Sequence, residues 1–378
     1  MKKITALVLA MVLTLGVLLT GCGSNNEVKE NTSNETTTEQ KDEKKEVKVG
    51  FLYVAPIGNE GWTYAHDQGR LYLEEKLGVE TIYKESVKED PAEVQAVIEN
   101  MIDEGVNVII GTSFGFMDGM ELSAKEYPEV TFMHCSGYKM SDNMSNYFAK
   151  LYQARYLTGV AAGLATKSNE LGYVAAYEIP EVIRGINAFT LGVKSVNPDA
   201  VVNVKWTHTW YDPAKEKQAA EALISEGADV IAQHQDTSAP QQAAEEAGVF
   251  SVGCDTDMES SAPNAYLTGA IYNWGDFYVS EIQKVIDGTW ESTSYWGPMT
   301  DSEDSMAIIT PLTKNAPEGA QAAVDAAKAD VIAGKPIFVG PIKDQNGEIK
   351  VAEGVELTDA ELLEMKWFVE GVNGKIEE

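Results

Sequence analysis

One passage of this chain is written twice. Asp90-Pro91-Ala92 opens a segment with Val94, Val97, Ile98, Met101 and Ile102 at helical spacing, ends at Glu104-Gly105, and continues into Val106-Asn107-Val108-Ile109-Ile110. Asp212-Pro213-Ala214, 122 positions later, opens a second segment with Ala219, Ala222, Leu223 and Ile224, ends at Glu226-Gly227, and continues into Ala228-Asp229-Val230-Ile231-Ala232. The spacing from Asp to Glu is the same in both. An Asp that caps a helix, followed by Pro at the first helical position, predicts a sharp helix start, and the β-branched run predicts a buried strand. Thr112-Ser113 follows the first strand and Thr237-Ser238 the second, each opening a helix that leads to an apolar run ending in Cys135 or Cys254. Helix, strand, loop and cysteine recurring in one order predict two related α/β lobes.

The rest of the chain continues the alternation. Val47 to Val54 predicts a strand and Trp62 to Leu77 a helix, with Ala55-Pro56-Ile57-Gly58-Asn59-Glu60-Gly61 as the loop between them. Val79 to Tyr83 is a further predicted strand. Beyond the first copy, a helix is expected over 149–167, a strand over 171–177, a helix over 182–196 and a strand over 201–206. Beyond the second, strands are expected over 265–272 and 306–309, with helices over 277–286 and 316–333. Gln345-Asn346-Gly347 predicts a hairpin turn between 337–342 and 349–351. A closing helix is expected from the capping box Thr358-x-x-Glu361, presenting Leu362, Met365, Phe368 and Val369 to the body. Alternating strands and helices give parallel sheets with crossovers. With 378 residues, 44% of them hydrophobic, the chain has core enough for two lobes. Lobe 1 is expected over 47–168 with 273–305 returning to it, lobe 2 over 169–272, and 306–378 shared.

Residues 1–21 read as a secretory signal: Lys2 and Lys3, then an apolar run from Ile4 to Leu19 too short to span a membrane. Leu19-Thr20-Gly21-Cys22 looks like a lipobox, with Cys22 as the lipid-bearing residue. From 22 to 46 the sequence is Asn, Glu, Thr, Ser and Lys with almost no apolar residue, which predicts a solvated tether. The formal charge of −30 argues against nucleic acid and against anionic lipid as partners. Cys135 and Cys254 are too few for a disulfide framework, and a buried free thiol at each strand end is expected over a bridge.

In an open α/β sheet the ligand sits at the carboxyl ends of the strands. Those ends carry Trp62 and Tyr64, Thr112, Ser113 and Phe114, Ser136 and Gly137, Tyr177 and Glu178, Trp206 and Trp210, Gln235 and Asp236, Asp255 and Asp257, Asn273 and Trp274. The ligand-binding residues expected from this set are Trp62, Tyr64, Ser113, Phe114, Tyr177, Trp206, Asp236, Asp255 and Trp274. Aromatic faces with carboxylates and few cations suit a flat heterocycle read along its N–H edge. Phosphate is disfavoured, because no Gly-x-x-x-x-Gly-Lys is present and Arg184 and Arg70 are the only arginines near these loops. His208 and His234 are metal-capable, but no two-His spacing on one element supports a site, so no metal or other cofactor is expected. Asp255 and Asp257 lack a division into acid and base, and no catalytic residue is assigned. Asp257 reads as a turn cap, and His66 as a partnered histidine.

Taken together, Leu19 to Cys22, Val49-Gly50-Phe51, Gly61-Trp62 through Gln68-Gly69-Arg70, Glu104 to Ile109, Tyr152 to Gly159 and Gly253-Cys254-Asp255-Thr256-Asp257 resemble the basic membrane protein family, purine-receptor lipoproteins that serve bacterial ABC importers. The resemblance spans Val47 to about Lys375. It implies a type I periplasmic-binding-protein fold, two Rossmann-like lobes closing on a purine, no enzymatic activity, a monomer, a permease partner, and attachment to the outer face of the cell membrane through Cys22. It places the family's acidic ligand contact on Asp255. Nucleoside-binding members typically show Asp with Ser-Phe-Asn in the first loop, where this chain has Glu60-Gly61-Trp62-Thr63-Tyr64; that departure points to a free base such as adenine. A surface adhesin or sensor is the alternative function, with a purine nucleoside hydrolase behind it.

Overall fold

The local signals for strand and helix are realised in a computed structural model that describes residues 46–377. The signal segment 1–21, Cys22 and all but the last residue of the tether lie outside the described residues. In chain order the elements are β1 (Lys48–Leu52), α1 (Trp62–Leu77), β2 (Glu80–Lys84), α2 (Pro91–Asp103), β3 (Val108–Gly111), α3 (Met117–Glu126), β4 (Thr131–Cys135), β5 (Met144–Ala149) and α4 (Tyr152–Ala165). They continue as β6 (Glu170–Ala175), α5 (Pro180–Val196), β7 (Val201–Trp206), α6 (Pro213–Ser225), β8 (Val230–His234), α7 (Ala239–Ala247), β9 (Phe250–Asp255), β10 (Tyr266–Tyr272) and α8 (Gly275–Ile286). The last part holds β11 (Ser294–Gly297), β12 (Ala307–Ile309), α9 (Ala320–Ile332), β13 (Ile342–Lys343), β14 (Ile349–Val351), α10 (Asp359–Leu363) and β15 (Val372–Asn373).

All the strands but β13 and β14, which pair with each other as an antiparallel hairpin, form two separate sheets. One has six strands in the order β11-β5-β4-β3-β1-β2, the other seven in the order β12-β10-β9-β8-β6-β7-β15, and apart from β12 all pair in parallel. Strands buried on both faces explain the near-continuous apolar runs of β3 and β8. The repeated passage appears once per lobe. Asp90 accepts from the backbone N–H of Ala92 and Glu93, and Asp212 from that of Lys215, so each capping side chain satisfies otherwise orphaned donors at a helix start. Cys135, the end of β4, and Cys254, the last residue but one of β9, are buried free thiols.

Helix α4 leads from the first sheet to the second and packs its backbone directly on α5. A Cβ at Gly159 would lie 2.1 Å from the Phe189 carbonyl oxygen and one at Gly192 would lie 2.0 Å from that of Tyr156, so only glycine permits this approach on either side.

Three expectations are corrected. Residues 144–149 form β5 and are held between β4 and β11; the helix expected from 149 begins at Tyr152. The hairpin turns at Asn346-Gly347, but its first arm pairs only through Ile342 and Lys343. The closing helix forms its capping box at Thr358 and stops at Leu363. Groups of α5 take over the backbone there: Arg184 donates to the Leu362 carbonyl, and Asn187 donates to the Trp367 carbonyl and accepts from the Val369 N–H. Met365, Phe368 and Val369 are buried from an irregular chain rather than from a helix face.

Candidate functional site

Strand β1 ends at a loop whose last residue, Gly61, has φ +92°, and a Cβ there would lie 1.9 Å from the carbonyl oxygen of Asp236 in the other lobe. Glycine is therefore required where the two lobes touch. The next residue, Trp62, opens α1 and donates its indole N–H to the Thr112 carbonyl at 2.6 Å. His66, Tyr272 and Trp274 meet the Trp62 ring edge to face at centroid distances of 4.4, 5.2 and 5.9 Å. This indole is both part of a packed aromatic cluster and a wall of the cavity between the lobes.

That cavity is lined by Val54, Trp62, Ser113, Phe114 and Ser136 from the first lobe and by Glu181, Trp210, His234, Asp236 and Asp255 from the second. Its empty space of about 320 Å³ includes open solvent. Asp236 is buried, its backbone N–H donates to the Trp210 carbonyl, and its Oδ2 has no partner among the described residues. Burial first, and then the carboxylates Asp255, Glu216, Glu89 and Glu181, push its carboxyl well above the usual range. Asp255 ends β9 with φ +65°, a left-handed conformation that Asp tolerates, and accepts from the Cys254 thiol at 2.8 Å. Burial raises its carboxyl too, opposed by His234 and Arg155.

Beside the cavity, Gln235 donates to the Thr207 hydroxyl while its Oε1, like Glu178 Oε1, is buried without a partner among the described residues. The two cations of this region are occupied. Arg155 reaches the Gln233 carbonyl and the Cys254 sulfur; Arg184 reaches the Leu362 carbonyl and lies 4.8 Å over the Trp296 ring. Acceptors in surplus, no cation to spare and aromatic walls suit a small, flat ligand rich in N–H or O–H donors.

Of the expected ligand residues, Trp62, Ser113, Phe114, Asp236 and Asp255 line the cavity, as do Ser136 and Trp210 from the strand ends. Tyr177 stands behind the Trp210 ring, edge to face at 5.1 Å. Trp274 is buried behind Trp62, stacked on His66 at 4.5 Å and on Tyr272 at 4.6 Å. Trp206 donates to the Lys375 carbonyl and stacks on Phe368 at 6.3 Å, so it packs the C-terminal segment against β7. Tyr64, half-buried on α1, does not line the cavity. Val54, Glu181 and His234 join the lining without having been expected there. The signal for Glu181 was Pro180, which places the acid in the first turn of a helix at the carboxyl end of β6. Asp257 caps the turn at Glu259, and His66 meets the Tyr278 hydroxyl at 2.6 Å.

Gly111-Thr112-Ser113-Phe114-Gly115 has the spacing of a serine nucleophile elbow. The Ser113 hydroxyl donates to the Glu89 carboxylate, and the neighbouring His134 imidazole meets the Ser113 carbonyl instead of its hydroxyl, so no Ser-His pair is formed there. Glu178, His208 and Glu377 bring three metal-capable atoms within 4.8 Å of one another at the surface, with His208 and Glu377 exposed.

The family described as ABC transporter substrate-binding protein PnrA-like matches residues 46–299. A purine-binding protein of Brucella abortus is 41% identical over 333 residues, covering 87% of this chain and 94% of that protein. A Haloferax volcanii protein named for ABC transport and glucose binding is 38% identical over 335 residues, 87% of this chain and 81% of that one. Among solved structures, a solute-binding protein of an ABC transporter system from Aeropyrum pernix K1 superposes with a TM-score of 0.66 at 19% identity, covering 79% of this chain and 93% of that one. A transcriptional activator of the comK gene from Bacillus halodurans gives 0.64 at 22% identity, with 75% and 97% covered. At such identities the superpositions show the fold, two α/β lobes of the periplasmic-binding type.

Proposed function

This chain belongs to the PnrA-like ABC transporter substrate-binding proteins, solute-binding proteins and not enzymes, and from that premise we propose that it captures a purine outside the cytoplasm for import. The ligand is read as a free base such as adenine, the partner as an ABC permease, and the anchor as lipidated Cys22. One observation carries the ligand class: Asp236, a buried carboxylate with an unpartnered oxygen, shares a cavity with the rings of Trp62, Phe114 and Trp210. A purine stacks on such rings and donates N–H groups to a carboxylate, and the purine-binding relative supports that class. Glu60 to Tyr64 in the first loop favours base over nucleoside.

The relative named for glucose binding supports a second reading, because a sugar also stacks on indole and donates hydroxyls. Calorimetry of the body from residue 46 against adenine, hypoxanthine, guanine, their nucleosides and glucose separates the two. A purine should bind at micromolar affinity or tighter, roughly −8 kcal/mol; binding of glucose alone, or of nothing, refutes the proposal. Cys22→Ala in the full chain should leave purine binding intact while moving the protein from the membrane fraction to the soluble one. Retention of that variant in the membrane fraction would overturn the anchor.

A further inference from the structure

Behind the wall formed by His234 and Glu181 lies a second, smaller cavity lined by Arg155, Glu181, Arg184, Gly185, His234 and Tyr272 among others. Arg155 Nε and His234 Nδ1 in its lining, and Tyr173 Oη close to its Gly185, lack a hydrogen-bond partner among the described residues. They belong to residues 2%, 6% and 0% exposed, so bulk water does not serve them. All three converge on one spot. A Cβ on Gly185 would stand 3.6 Å from His234 Nδ1, 3.8 Å from Tyr173 Oη and 3.9 Å from Arg155 Nε. On the measure by which one water needs roughly 10–15 Å³, the space is about 10 Å³ here and about 20 Å³ in the ligand cavity.

We propose that a single water molecule is bound opposite Gly185, hydrogen-bonded to Arg155 Nε, Tyr173 Oη and His234 Nδ1. The chemistry selects water over an ion. The Arg155 N–H requires an acceptor and its charge repels a cation, while the Glu181 carboxylate in the same lining, 3.4 Å from His234 Nε2, opposes an anion. Water accepts from the guanidinium and exchanges hydrogen bonds with hydroxyl and imidazole in either sense, reaching the three partners usual for a buried water. It thereby holds the His234 ring in the wall of the ligand cavity, and it locks the guanidinium that bridges α4 to Gln233 and Cys254, next to Asp255. The inference stands whatever ligand the cleft takes.

Gly185 lies in the interior of α5, where alanine is favoured by helix propensity, and its methyl would make only ordinary contacts with the three atoms. Without the water, Gly185→Ala should raise the ligand-free melting temperature above wild type, because helix propensity then decides. With the water, the order inverts. The methyl displaces the water and orphans three buried groups, lowering the melting temperature below wild type, whereas a Ser hydroxyl reaches the same atoms and recovers part of the loss. A crystal structure of the ligand-free wild-type body, at a resolution that shows ordered solvent, should hold one peak within hydrogen-bond distance of all three atoms. Absence of that peak, its replacement by bromide in a bromide soak, or an alanine variant at least as stable as wild type each overturns the proposal.

Discussion

Asp236 illustrates how a binding residue opposes the fold that carries it. It is a buried carboxyl with one oxygen unpartnered among the described residues, pushed upward by burial and by four neighbouring acids. A carboxyl raised in the folded state binds more protons there than in the unfolded chain, so its effect on stability turns unfavourable as pH rises above the ordinary carboxylate range. Asp236→Asn keeps the shape and removes the charge, so the ligand-free melting temperature should rise at pH 8 more than at pH 4. Purine affinity should fall about tenfold, ~1.4 kcal/mol, because the amide offers a donor where the ligand needs an acceptor. Unchanged affinity in calorimetry would remove Asp236 from the site. The strand-end rule finds this residue because it follows a β-branched run. It does not separate Trp62 from Trp274: both come at strand ends, and only the packing shows that one faces the cavity while the other stacks on His66 behind it.

Helix α6 carries a titrating group of its own. Glu216 is buried, accepts from the Asp212 N–H at the helix start and meets the Thr237 hydroxyl, yet burial raises its carboxyl from 4.5 to about 7. Folded and unfolded chains are equally protonated at Glu216 below about pH 4 and equally ionised well above 7. Between those limits the folded chain holds the extra proton, so stability is lost as pH climbs from about 4.5 to 7. The full loss amounts to about 3 kcal/mol as an order of magnitude. Glu216→Gln should therefore gain stability relative to wild type from pH 5 to pH 8, read as the difference between their denaturant midpoints. A constant difference across that range would show that Glu216 does not titrate there. The repeated Asp-Pro-Ala signature announces this helix at both sites, but the second copy's buried Glu has no counterpart in the local pattern and becomes visible only when Thr237 arrives from the loop after β8.

At the scale of the molecule, the chain passes between its two sheets three times, after β5, β10 and β11, and the cavity lies where the lobes face each other. Contacts across the mouth of the cleft come from one loop. The Gly61 N–H donates to the Thr256 hydroxyl at 2.8 Å, and Glu60 accepts from the hydroxyls of Ser260 and Ser261 at 2.8 to 3.1 Å. Because these bonds join the lobes only when the cleft is shut, Glu60→Ala should speed ligand release about three- to tenfold with little change in the association rate. Stopped-flow displacement measures this, and an unchanged release rate would show that the contact does not hold the cleft closed. The two-lobe α/β architecture was legible in the chain alone, because helix caps, β-branched runs and a repeated passage act through neighbours a few residues apart. Only the tertiary structure decides that Ser294 to Gly297 completes the first sheet, that Leu363 ends the last helix, and that Glu181 and His234 turn into the cavity. Each of these depends on partners scores of residues away, Asn146 for β11 and Arg184 and Asn187 for the chain end, and no local pattern encodes which distant group will satisfy a given backbone or side chain.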